Sequence, residues 1–190
     1  MNTRVPASRA ARCFLLLCPL LLLPACSLTP PEDTRIDDPT LAPERRTVEG
    51  AITLVAWAWA NQRAQEYDDV LHPEFEYFPL ADDDFPWIPE DGWNKTIEMA
   101  IARNMFDPTF ISEDTGENVD SIEMTFTVRS TRALTSPPNA VEVSTELDAQ
   151  VLWAEGDGAT SHVLIDFVIV PDLDEPELFQ VLEQRERSLI

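Results

Sequence analysis

Tyr67, His72 and Asp166 are the side chains of this 190-residue chain whose types and settings permit acid–base chemistry. A phenol, imidazole or carboxyl held among apolar groups has its proton affinity shifted, and a shifted group can give or take a proton near neutral pH. Asp166 stands out because apolar residues flank it from Val163 to Val170. Each of the three also has a plain structural explanation. His72, before Pro73, reads as a residue at a helix end. Asp166 reads as a solvent-facing carboxylate on a strand. Tyr67 reads as a core residue with its hydroxyl at the rim. No catalytic role is assigned to them. A ligand pocket needs less, namely aromatic and aliphatic walls with a few polar groups. Trp59, Tyr67, Phe75 and Trp93, with Asp166, supply it if the helices pack on the sheet.

Other chemistries find little support. Two histidines and three cysteines, all three before residue 27, do not make a zinc site. Asp82-Asp83-Asp84 and Asp172-Leu173-Asp174-Glu175 lack the spacing and glycine of a calcium loop and read as solvated acid runs. There is no phosphate-cradling glycine loop and no serine elbow. No cofactor and no metal are expected.

The elements that must position the candidates follow from periodicity. Thr47 is a helix N-cap, and Val48, Ile52, Val55 and Trp59 share one helical face until Asn61. Trp57 and Trp59, two apart, are expected on different faces, one of them exposed. A second helix spans 64–71, with Tyr67 on its apolar side, and Pro73 stops it. Phe75 and Tyr77 belong to a strand. The stretch 81–92, with the run Asp82-Asp83-Asp84, two prolines and Trp87, is a loop. Asp91 or Asn94 caps a third helix to about Phe106, its stripe formed by Trp93, Ile97, Ile101 and Met105.

From Ser121 the period changes to two: Ile122, Met124, Phe126 and Val128 alternate with polar residues. Val141, Val143, Leu147 and Val151 continue in a second strand. Glu155-Gly156-Asp157-Gly158 turns the chain into a third, with Val163, Ile165, Phe167 and Ile169 on one face. Leu164, Val168 and Val170 on the other face need cover, which a second copy of the chain would supply. Phe179 and Val181 begin a last strand that runs into a charged tail. Three helices followed by antiparallel strands is an α+β order.

The run Val55-Ala56-Trp57-Ala58-Trp59-Ala60-Asn61, the short helix with Tyr67, Leu71-His72-Pro73-Glu74-Phe75 and the four-strand C-terminal meander together resemble the nuclear transport factor 2-like superfamily, including its SnoaL-like branch. The resemblance implies a cone: three N-terminal helices packed on a curved antiparallel sheet, with a pocket open at one end and pairing through the sheet. It implies no single activity. The first helix has no tyrosine, unlike the steroid-isomerase pattern, and the Asp-Arg-Asp set of the epoxide hydrolases cannot be placed.

Arg4, Arg9 and Arg12 precede an apolar run from Phe14 to Leu23, too short to span a membrane. Leu23-Pro24-Ala25-Cys26-Ser27 resembles the bacterial lipobox, which implies cleavage before Cys26 and lipidation of that residue. Residues 1–25 are thus expected to be a signal peptide, 26–46 a lipidated cysteine and proline-rich tether, and 47–190 the folded domain. In lipoproteins of this type aspartate after the cysteine marks inner-membrane retention, so Ser27 favours the outer membrane of the cell envelope if the host has one. The leader carries three arginines and no acid, so its loss takes the net charge from −22 to −25. Such a field repels phosphate backbones and anionic head groups, so nucleic acid is not an expected partner and the lipid must do the anchoring. The expected function is a membrane-anchored domain binding a small, largely apolar ligand or an envelope partner. The alternative is an acid–base enzyme of the isomerase, dehydratase or cyclase type in the same pocket.

Overall fold

Thr47 begins the first helix as its type requires: the side chain accepts the Gly50 N–H at 2.9 Å, satisfying one of the donors a helix start leaves free. It caps α1 (Val48–Ala60), which buries Ala51, Ile52, Leu54, Val55 and Ala58 and ends at Asn61. The computed structural model describes residues 41–80, 91–113 and 116–188, all within one unit, Asp37–Ile190. The leader, Cys26, most of the tether and most of the 81–92 loop with Trp87 lie outside the described residues. No helix among the described residues is long and apolar enough to cross a membrane. Trp57 and Trp59 do not divide into one inside and one outside: both are half-buried against the core.

α2 (Ala64–Val70) passes directly into β1 (Leu71–Phe78), so Pro73 sits within a strand rather than at the helix stop. β2 (Trp93–Asn94) takes Trp93 out of the third helix. Asn94 then caps α3 (Lys95–Phe106), its side chain accepting the Thr96 and Ile97 N–H groups. Four strands follow: β3 (Val119–Ala133), β4 (Val141–Trp153), β5 (Gly158–Pro171) and β6 (Phe179–Arg187).

The six strands form one sheet in the order β2-β1-β6-β5-β4-β3. Every pairing is antiparallel except β1 with β6, which is parallel. The meander from β3 to β6 needs only hairpin connections. β1, made early, is brought beside the last strand because β6 otherwise leaves a row of unpaired backbone groups. α1 packs on β3 and β6, and α3 on β1 and β2. The inner face carries Val143 opposite Phe167 and Thr145 opposite Ile165, all fully buried. Each apolar side chain so buried contributes about 1.5–3 kcal/mol.

β6 departs from simple alternation. Val168 pairs with Glu183, but the next residue, Ile169, pairs with Val181, leaving Leu182 as an extra residue. This bulge switches the faces: Val181 points inward before it, Gln184 and Glu186 after it. The charged tail read from the sequence is therefore strand, and part of it faces the interior.

The outer face of β5 carries Asp166, Val168 and Val170. The two valines are 6% exposed, packed with Ala140, Leu134 and Leu182. Their cover comes from the β3–β4 connection and the β6 bulge of the same chain, while Leu164 on that face is half-buried.

Candidate functional site

Glu98 is the centre of the site. The sequence placed the apolar stripe of α3 at Trp93, Ile97, Ile101 and Met105. The fold turns the helix so that Glu98, Met99, Ala102 and Phe106 are buried and Ile97 is 45% exposed. A carboxylate taken from water costs several kcal/mol unless donors replace the solvent. Two donors meet Glu98. The Tyr67 hydroxyl on α2 donates to Oε1 and the Trp93 indole N–H on β2 donates to Oε2, each at 2.6 Å. Glu98 is 5% exposed, and burial pushes its carboxyl up from the ordinary value, against the pull of the two hydrogen bonds. Tyr67 is fully buried, so its hydroxyl is not at a rim. Burial first, then the charge of Glu98, holds its phenol well above the usual range.

Trp93 is held by the β1–β2 ladder, where it lies opposite Tyr77 and stacks on it at 4.3 Å. Gly92 makes the approach possible. It adopts φ +77°, and a Cβ there would lie 2.0 Å from the Tyr77 carbonyl oxygen. The Tyr77 hydroxyl donates in turn to Glu186 on β6. The charge of Glu186 adds to the upward push on Glu98. On the far wall Trp59 meets Tyr67 and Phe106 edge to face, at 5.5 and 5.1 Å.

These groups border a partly open cavity of about 220 Å³ between the helices and the sheet. Its walls are aromatic and aliphatic, with Trp59, Trp93, Met124 and Phe126 among them, and Glu98, Glu186, Gln184 and Ser161 bring polar atoms. The arrangement can hold an apolar body and present carboxylates to it. A proton held at Glu98 can also be passed to a bound group.

Of the residues expected from sequence, Trp59, Tyr67 and Trp93 meet at this cavity. Phe75 is fully buried in the core and does not line it. His72 is buried on β1, where its Nδ1 accepts the Glu74 N–H at 3.0 Å; burial lowers its pKa. Asp166 faces the other way, bonded to Ser144 Oγ and to Arg187, each at 2.6 Å. The two faces of β5 separate it from Tyr67, as the alternation with Ile165 and Phe167 demands. Glu98, Glu186 and Tyr77 were missed. A signal for Glu98 existed: Met99, Ala102 and Phe106 form an i, i+3, i+7 stripe with Glu98 beside it. None existed for Glu186, whose direction depends on the bulge.

The outer face also gathers Glu146, Asp148 and His162, with ligand atoms within 4.8 Å of one another. Each ring nitrogen of His162 faces a carboxylate, and Arg129 also pairs with Glu146. This is a surface ion-pair network.

No family model matches the chain, and no curated relative matches it either. Solved structures do. A protein from Catenulispora acidiphila aligns at 12% identity and TM-score 0.52, covering 74% of this chain and 87% of its own. A cystatin-like-fold protein from Caulobacter vibrioides aligns at 9% identity and TM-score 0.50, covering 75% and 87%. A nuclear transport factor 2-like protein of unknown function in nutrient uptake from Rhodospirillum rubrum aligns at 7% and TM-score 0.50, covering 76% and 99%. The fold is therefore the cystatin-like, nuclear transport factor 2-like α+β cone, with a curved, mainly antiparallel sheet.

Proposed function

We propose that the cone binds a small, largely apolar molecule in the cavity around Glu98, using the aromatic walls for contact area and the carboxyl for orientation. The observation that carries this reading is the cavity itself: apolar on most sides, partly open, with a buried carboxyl whose donors are already in place. Preorganised polar groups in an apolar surround give a site its specificity. The leader and the lipobox around Cys26 support a domain held at a membrane by lipid. Replacing Cys26 by Ala is expected to move the protein to the soluble fraction.

The test is a screen of ring-sized compounds read by tryptophan fluorescence, since Trp59 and Trp93 both line the cavity. A hit is then repeated on Met124→Trp, which fills the space. Loss of binding with an intact fold supports the site, and binding that survives the filling places the ligand elsewhere.

A second reading, acid–base catalysis, is favoured by one feature. Glu98 has a raised proton affinity and Glu186 lies on the same cavity. A carboxyl of raised proton affinity beside a second carboxyl is an arrangement that can divide acid and base roles. Turnover of a bound compound that Glu98→Gln abolishes without loss of binding would establish it.

A further inference from the structure

The charges that face the cavity are all of one sign. Glu98 and Glu186 line it, and among the described lining residues there is no lysine, arginine or histidine. The basic groups of neighbouring elements are committed elsewhere. Arg187 pairs with Asp166, and Arg185 pairs with Glu183 and lies over the Phe78 ring at 5.0 Å. Both arginines follow the β6 bulge on outward positions. Lys95 Nζ donates to the carbonyls of Asp68 and Leu71 and pairs with the Asp68 carboxylate. The groups that do meet the two carboxyls are neutral donors: Tyr67, Trp93, Tyr77 and the Leu80 backbone N–H.

The walls have the same preference. The face of an aromatic ring attracts a cation placed over it. Trp59, Tyr77, Trp93 and Phe126 all border the cavity. In a low-dielectric space a carboxylate interacts with a cation far more strongly than in water and repels an anion as strongly. Neutral donors steady a carboxyl but bring no positive charge to it. A ligand that carries one positive charge supplies what the protein does not.

We propose that the ligand of this cavity is a small organic cation, a protonated amine on an aromatic or aliphatic ring, its ammonium between Glu98 and Glu186 and its apolar body against Trp59, Trp93 and Phe126. The proposal rests on the binding reading above and narrows it to a class. The size fits: about 220 Å³ is the volume of roughly seven waters at about 30 Å³ each, enough for one ring with a short side chain. The Tyr77–Trp93 stack and the two carboxyls lie on α3, β1, β2 and β6, so charge recognition is built on rigid elements.

The experiment uses the full-length protein and three probes of one shape but different charge: phenethylammonium, 2-phenylethanol and phenylacetate, titrated calorimetrically at neutral pH. The expected result is that phenethylammonium binds at least about tenfold more tightly than the alcohol, with phenylacetate the weakest. Glu186→Gln is expected to remove that advantage. Glu98→Gln serves as a second variant, and the comparison on the unmodified protein stands even if neither variant folds. Equal binding of the alcohol and the amine would overturn the cation and leave the cavity reading intact. Tightest binding of phenylacetate would do the same. Binding of none of the three would overturn both.

Discussion

The Tyr67 hydroxyl donates to Glu98 Oε1 at 2.6 Å, joining two helices whose partners stand 31 residues apart in the chain. The bond lies in the dry interior of the cone and ties α2 to α3 at the wall of the cavity. Both the folding energetics and the chemistry of the site turn on it.

Glu98 makes stability depend on pH in a stated direction. Its carboxyl is raised in the fold above the ordinary 4.5, so the folded protein holds that proton more firmly than the unfolded chain. Its contribution is full below the ordinary carboxylate pKa and is lost as pH rises through the raised folded value. Glu98→Gln does not titrate; its amide oxygen can accept the Trp93 N–H, and its NH2 faces the Tyr67 hydroxyl, whose oxygen must then accept. The stability of the native protein relative to this variant is expected to fall as pH rises from below the ordinary carboxylate range through the raised folded value. Urea midpoints of both proteins across that range check it; a constant difference would refute it.

Tyr67→Phe removes one of the two donors and leaves a buried carboxyl oxygen unmatched. The expected cost is about 1–3 kcal/mol. The lost hydrogen bond had been lowering the Glu98 pKa, so the loss is expected to be larger in the alkaline than in the acid part of the range. Denaturant unfolding at two pH values checks both the size and the pH trend.

Gly92→Ala is expected to displace Trp93. The added Cβ would lie 2.0 Å from the Tyr77 carbonyl oxygen, at a φ of +77° that alanine rarely adopts. The β1–β2 pair must part or the strand end must shift, and either move breaks the Tyr77–Trp93 stack and the Trp93–Glu98 bond. Near-ultraviolet circular dichroism and a drop in stability of about 1–3 kcal/mol are the readouts. An unchanged aromatic spectrum would show that the close approach is not required.

Asp166→Asn is expected to leave cavity binding unaltered. Its carboxylate lies on the outer sheet face with Arg187, whose side chain is half exposed, and such a pair contributes about 0–1 kcal/mol. A fall in ligand affinity without a fall in stability would place Asp166 in the site after all.

What the sequence determined by itself is what short-range periodicity encodes. The cap at Thr47 and the apolar face of α1 follow from 3.6-residue spacing, and β3 to β5 from strict alternation. Helix-then-strand order yields the α+β class. Trp59, Tyr67 and Trp93 were placed at a cavity wall by the family resemblance, which packs the helices on the sheet. The polar heart of the site was decided only in three dimensions. Glu98 enters the interior because two donors distant in the chain converge on it, and without them a carboxylate would keep its helix face in water. Glu186 enters because one extra residue, Leu182, shifts the register of β6; unbroken alternation from Val181 would instead have turned Glu183 and Arg185 inward. Asp166 is excluded by the same period-two rule that made it conspicuous. Local pattern fixes which residues share a face. Pairing with distant strands and donors decides which charged groups the interior can hold.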